Sequence, residues 1–279
     1  MSDRTAAEAL RAANEILTLA GIEDPARDSR RLLAQAMDLP PDRLSLHLPD
    51  PLSPRAAARF ALMIEARAAR QPVSQILGTR LFWGHAFRVT PDVLDPRPET
   101  ECLIAEALAA PFTRVLDLGT GSGAILATLL SERPEASGIG TDLSAPALEV
   151  AAANAATLGV AARARFLRAD WCDGVLGQFD LIVSNPPYIS DDEMETLAPE
   201  VRDWEPWLAL TPGGDGLDPY RSITRDAPER LSPGGRLIVE IGAEQGAAVA
   251  QMFVDAGFVG IAVLRDLDGR DRVVRAEKP

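Results

Sequence analysis

The most specific chemistry in the chain sits at Ser184-Asn185-Pro186-Pro187-Tyr188. An amide or exocyclic ring nitrogen is a poor nucleophile because its lone pair is delocalised. Its two N–H groups need acceptors before that lone pair acquires a direction. The side-chain oxygen of Asn185 and the main-chain carbonyl of Pro186 supply one acceptor each. Pro186 and Pro187 stiffen the backbone that carries them, and Tyr188 offers a flat face to a planar group. The expected catalytic and target-holding set is therefore Asn185, Pro186, Pro187 and Tyr188. No general base stands near, and none is required: a nitrogen that has gained an alkyl group sheds its extra proton readily. A plain proline turn closing a strand is the alternative, and the upstream pattern weighs against it.

That pattern begins with Asp117-Leu118-Gly119-Thr120-Gly121-Ser122-Gly123, a G-x-G-x-G turn between a strand and a helix. Glycines allow the backbone to turn tightly and approach a ligand closely. The spacing differs from the G-x-G-x-x-G that delivers a pyrophosphate to a helix N-terminus. Asp142 ends the next strand, where a carboxylate accepts ribose hydroxyls. Asp170-Trp171 follows the third strand, with an indole that either stacks on a purine or packs in the core. Gly119, Thr120, Gly121, Ser122, Gly123, Asp142, Asp170, Trp171 and Asn185 thus form the expected cofactor set, for a ligand bearing a nucleoside. Together they resemble the S-adenosylmethionine site of class I methyltransferases.

The elements that must position these residues alternate strand, turn and helix from Arg114 onward. Strands are expected at 115–118, 138–142, 165–167, 179–184 and 237–241, with helices at 122–130, 144–154 and 244–256 between or after them. A closing hairpin, 259–264 with 272–274, turns at Asp268-Gly269. Such α/β alternation with a terminal antiparallel pair predicts a doubly wound, Rossmann-like sheet, with ligands beyond the carboxyl ends of its strands. Upstream, residues 1–74 read as helices only. Helix starts are marked by Thr5, Asp24-Pro25 and Ser53-Pro54. Residues 75–92 alternate bulky and polar side chains and predict a β-hairpin linker, leaving 93–279 as the catalytic domain. Glu200 to Arg221 is the natural lid, with Glu205 and Asp215 as caps, surface charge or lid contacts.

Composition narrows the function classes. Two cysteines and two histidines leave no metal-ligand spacing and make a serine triad hard to build, so no metal is expected. The N-terminus lacks a signal-peptide pattern, and no long apolar run spans a membrane, which suits a cytoplasmic protein. With 28 basic against 41 acidic residues, net charge −13, the chain disfavours phosphate backbones, so no direct DNA binding is expected.

The chain closely resembles the bacterial protein-(glutamine-N5) methyltransferases of peptide chain release factors, the PrmC or HemK family. The resemblance rests on Leu94 to Glu101, Asp117 to Gly123, Asp142, Asp170-Trp171, Asn185 to Ile189, Glu205-Pro206, Ala209-Leu210 and Gly213-Gly214-Asp215-Gly216-Leu217. It implies S-adenosylmethionine as donor, S-adenosylhomocysteine as product, and the glutamine of a Gly-Gly-Gln motif held by Asn185 to Tyr188. The resemblance extends to the N-terminal helices and the hairpin; because a glutamine amide alone is too small to distinguish proteins, the helical domain is expected to recognise the release factor, and a monomer is expected. Gln75 and Leu81, both assigned to the hairpin, and Asp95 depart from the family pattern at positions expected to bear on docking. The alternative is a nucleic-acid N6-adenine methyltransferase, which uses the same clamp but must extrude a base and hold phosphates. A non-catalytic module on this fold would need neither Asn-Pro-Pro-Tyr nor Asp142.

Overall fold

The structure is a computed structural model and describes residues 4–279. The first three residues of the helical domain expected over 1–74 lie outside it. The chain divides into two units. One reaches to Gly78 and takes in the distant segment Ala198–Trp204; the other comprises Thr79–Leu197 and Glu205–Pro279.

In the first unit α1 spans Ala6–Leu19, α2 Pro25–Ala36, α3 Pro54–Ala68 and α4 Val73–Leu77. Their starts follow from side-chain caps. Thr5 and Glu8 form a capping box, while Asp24 and Ser53 each accept a backbone N–H ahead of a proline in the first turn. Leu17, Leu32, Leu33, Leu44, Phe60 and Ile64 make the core. Gln75 belongs to α4 and is buried, its amide donating to the Trp204 carbonyl at 2.9 Å. It is therefore not on the hairpin, because helical spacing places it inside and a backbone acceptor satisfies it there. Leu81 is on a strand and largely exposed.

The second unit opens with β1 (Thr79–Phe82) and β2 (His85–Arg88), a hairpin shorter than 75–92 because α4 claims its first residues. Its two-residue turn, Trp83-Gly84, has both φ angles positive, as a right-twisted hairpin demands. Next come α5 (Glu101–Leu108), β3 (Arg114–Leu118), α6 (Ala124–Glu132), β4 (Ser137–Asp142), α7 (Ala145–Thr157), β5 (Ala164–Arg168) and β6 (Phe179–Ser184). Three short helices follow, α8 (Asp191–Met194), α9 (Pro199–Arg202) and α10 (Trp207–Leu210), of which α9 lies in the segment belonging to the first unit. The chain ends with α11 (Asp218–Arg230), β7 (Leu231–Glu240), α12 (Gly246–Asp255), β8 (Val259–Arg265) and β9 (Asp271–Glu277).

The seven strands from β3 onward form one sheet in the order β5-β4-β3-β6-β7-β9-β8. The first five are parallel, and β9 runs antiparallel to both neighbours. Side chains alternate across it. Val115, Leu181 and Val183 enter one core with α5 and α6, while Leu116, Leu118 and Ile182 enter the other with α11 and α12. The chain winds outward from β3 to β5 and then returns to β6 on the other side of β3. The switch point therefore lies between the carboxyl ends of β3 and β6. β7 starts at Leu231 rather than Leu237, with a shift in register against β6.

Candidate active site

At the switch point a cavity of about 350 Å³ opens over the strand ends. The turn after β3 forms its floor. Gly119, Gly121 and Gly123 all have positive φ, but for different reasons. A Cβ on Gly121 would meet nothing within 4 Å, so the backbone there is open to the cavity. A Cβ on Gly123 would lie 2.9 Å from that of Ala151, so this glycine lets α6 start close against α7. Gly123 does not line the cavity, whereas Gly119, Thr120, Gly121 and Ser122 do.

Asp142 faces the same cavity from the end of β4. Its two oxygens accept the N–H groups of Gly121 and Ser144, both at 2.9 Å, so it braces the glycine turn as well. Burial raises its carboxyl above the usual range, and these backbone bonds oppose the rise. Asp170 and Trp171 also line the cavity. Trp171 has φ 48°, a left-handed conformation that a bulky side chain adopts only under constraint, and its ring lies beside Gly119. Beneath the turn, Asp117 is fully buried and accepts from the Thr120 hydroxyl at 2.6 Å. Burial pushes its carboxyl up to about 7. Buried Asn154 on α7 donates to the Ser122 and Arg88 carbonyls and accepts from the Arg88 N–H, tying the turn to the hairpin.

The Asn-Pro-Pro-Tyr segment leaves the end of β6, which the Ser184 hydroxyl ties to the Leu118 carbonyl at 2.7 Å. Asn185 and Pro187 line the cavity, and Pro186 and Tyr188 do not. Tyr188 packs against the core beneath α11, and its carbonyl accepts from Gln245 at 2.9 Å. Burial first, then the Glu240 carboxylate, push its phenol well above the ordinary range. Tyr188, expected to offer a flat face to the target, is instead half-buried and packed against this core. The Asn185 amide donates to the Thr100 hydroxyl at 3.2 Å.

Across the cavity stand Pro206, Leu208, Ala209, Thr211 and Pro212, the part of the expected lid that belongs to this unit. Glu205 is buried and pairs with Arg97 at 2.5 Å. Burial raises its carboxyl to about 7, against the pull of Arg97. Asp215 instead stays exposed, accepting from the Leu217 N–H and pairing with Arg221. Among the described residues no group of His, Cys, Asp and Glu could hold a metal ion, and no helix is long and apolar enough to cross a membrane.

Sequence reasoning assigned no role in the site to Arg97, Thr100, Asn154 or Glu240. The run Arg97-Pro98-Glu99-Thr100-Glu101 was a visible signal, since a helix start needs acidic residues but not this order of them. Asn154 and Glu240 gave none: each sits in an ordinary helix or strand pattern, and only packing shows what it faces.

The chain is similar to known proteins in sequence and in fold. Residues 8–78 match the PrmC N-terminal domain, and residues 96–201 match the methyltransferase small domain. The release factor glutamine methyltransferase of Cereibacter sphaeroides is 65% identical over 98% of this chain and 99% of its own. That of Agrobacterium fabrum is 43% identical over 98% of this chain and 97% of its own. Among solved structures, a Pyrococcus furiosus methyltransferase aligns with TM-score 0.55 at 16% identity, covering 80% of this chain and 98% of that one. The hMettl16 catalytic domain aligns with TM-score 0.57 at 14% identity, covering 80% and 81%. These two carry the fold, and the near full-length relatives carry the lineage: the chain belongs to the release factor glutamine methyltransferase family.

Proposed function

We infer that the protein transfers a methyl group from S-adenosylmethionine to the side-chain amide nitrogen of the glutamine in the Gly-Gly-Gln motif of peptide chain release factors. The observation that carries this reading is the meeting of Asn185 with the Gly119–Ser122 turn and Asp142 around one cavity, although they come from three separate strand ends. The cavity fits such a donor. It has an open glycine backbone at Gly121, a carboxylate with lone pairs to spare at Asp142, and an indole at Trp171. The donor supplies an electrophilic sulfonium methyl.

The chain's own residues then work by orientation. Asn185 Oδ1 accepts one amide N–H, and the Pro186 carbonyl, whose peptide bond leads into the cavity-lining Pro187, accepts the other; this aims the nitrogen and removes freedom that solution would leave it. Pro187 keeps that backbone stiff, and the 206–212 segment supplies a largely apolar wall to the cavity. The reaction needs no side-chain base. Among the described residues none of the first unit lines the cavity, and a glutamine amide alone is too small to single out one protein. Its helices are therefore the surface proposed to recognise the release factor.

Incubation with methyl-labelled S-adenosylmethionine tests the reading. Label should enter an intact release factor and be lost when the Gly-Gly-Gln glutamine is replaced by alanine. Label in adenine of DNA or RNA instead would overturn it.

A further inference from the structure

Thr100 and Glu240 are polar, almost fully buried and placed beside the cavity without any role in the chemistry described so far. Thr100 precedes α5 and is 4% exposed; Glu240 ends β7 and is 1% exposed. They interact: the Thr100 side chain lowers the Glu240 carboxyl against the rise that burial imposes on it. Glu240 Oε2 has no hydrogen-bond partner among the described residues. On its other side Thr100 Oγ1 is 3.2 Å from Asn185 Nδ2.

A hydroxyl has one hydrogen and two lone pairs, and a carboxylate is an acceptor only. Facing the Glu240 carboxylate, the Thr100 hydroxyl must give its hydrogen there, and it can then only accept from Asn185. That forces Nδ2 of the Asn185 amide toward Thr100. The other end, Oδ1, is left for the cavity. With the amide turned over, Asn185 would present N–H groups to the N–H groups of the target, and the clamp would repel what it has to hold.

We propose that Thr100 and Glu240 are positioning residues for the methyl transfer: the hydroxyl, its hydrogen committed to the carboxylate, holds Asn185 with Oδ1 turned to the target nitrogen. This rests on the proposed clamping of the glutamine amide by Asn185. It assigns a task to a buried carboxylate that costs stability where it stands, and to the threonine of the Arg-Pro-Glu-Thr-Glu run. The relay acts on orientation in the transition state rather than on association, so its loss should show in kcat.

The test uses the full-length enzyme and an intact release factor at alkaline pH, where Glu240, raised by burial to about 7, is ionised. Thr100→Val keeps the side-chain shape and removes the acceptor. It should lower kcat by about tenfold or more, with the cofactor Kd and release-factor KM within about twofold of wild type. Thr100→Ser restores the hydroxyl and should recover most of kcat. Glu240→Leu fills the site with an apolar side chain and frees the Thr100 hydrogen to turn on Asn185. It should lose kcat as Thr100→Val does while melting no earlier than wild type. Wild-type kcat in either Thr100→Val or Glu240→Leu overturns the proposal. So does a serine variant as impaired as the valine variant, or a loss confined to cofactor affinity. A wild-type enzyme that leaves the release factor unmethylated would instead sink the functional reading itself.

Discussion

Three buried carboxyls near the cavity, Asp117, Glu205 and Glu240, are each raised to about 7, in every case chiefly by burial. An ionised group in a poorly solvated place is disfavoured unless its partners compensate, and here burial outweighs the partners each carboxyl has. Glu240 allows the sign to be tested. Its carboxyl titrates at 4.5 when unperturbed and at about 7 here. A group raised on folding contributes its full stability below the unfolded value and loses it as pH rises through the folded one. Glu240→Gln should therefore match wild type near pH 4 and gain on it progressively to about pH 8, where the difference reaches roughly 3 kcal/mol. Urea denaturation of both proteins across that range checks it, and a constant difference would show that burial of charge is not the cause. Asn185, Asp142 and the glycine turn were legible in the residues because their chemistry demands particular atoms. The partners that aim them were not, since Thr100 and Glu240 become partners of Asn185 only through the contact of β6 with the α5 start and β7.

Among the elements, the parallel strands were the most legible. β6 runs from Phe179 to Ser184 as its apolar run implies, because a strand buried on both faces has no other composition open to it. α11 was not foreseen. It carries Pro228 and many charges, yet Tyr220, Ile223, Thr224 and Ala227 follow helical spacing and are buried. The proline sits in its last turn, where the helix is ending. The α6–α7 contact yields a prediction of its own. Gly123 has φ 75° and no room for a Cβ beside Ala151. Gly123→Ala must either strain the backbone or push α6 from α7, and should cost about 2–4 kcal/mol. A denaturant midpoint equal to that of wild type would show that the contact yields without cost. Gly121→Ala, with open space around it, should lose only the backbone part of that sum, roughly 1–2 kcal/mol.

For the whole molecule, the chain leaves the catalytic unit after Leu197 and returns at Glu205. Within the first unit Arg67 is the fastening. It is nearly buried and binds Asp28 at 2.7 Å and Glu200 at 3.1 Å, with Arg70 adding a second contact to Glu200. Arg67→Ala takes this partner from the partly buried Asp28 and leaves Glu200 with Arg70, and should destabilise this unit by about 3 kcal/mol. The lower unfolding midpoint should come with unchanged S-adenosylmethionine affinity by calorimetry, because no cavity residue is altered. An unchanged midpoint would show the ion pairs to be dispensable. Residues alone marked the sheet, the glycine turn, the proposed clamp and the acidic character, for these depend on local pattern, side-chain chemistry and composition. Only the tertiary structure decided that Tyr188 packs against the core, that Gln75 is buried in α4, and that 198–204 packs with the helices it follows by more than a hundred residues. Each of those outcomes depends on which distant surface a side chain meets, and a one-dimensional pattern carries no record of distance in space.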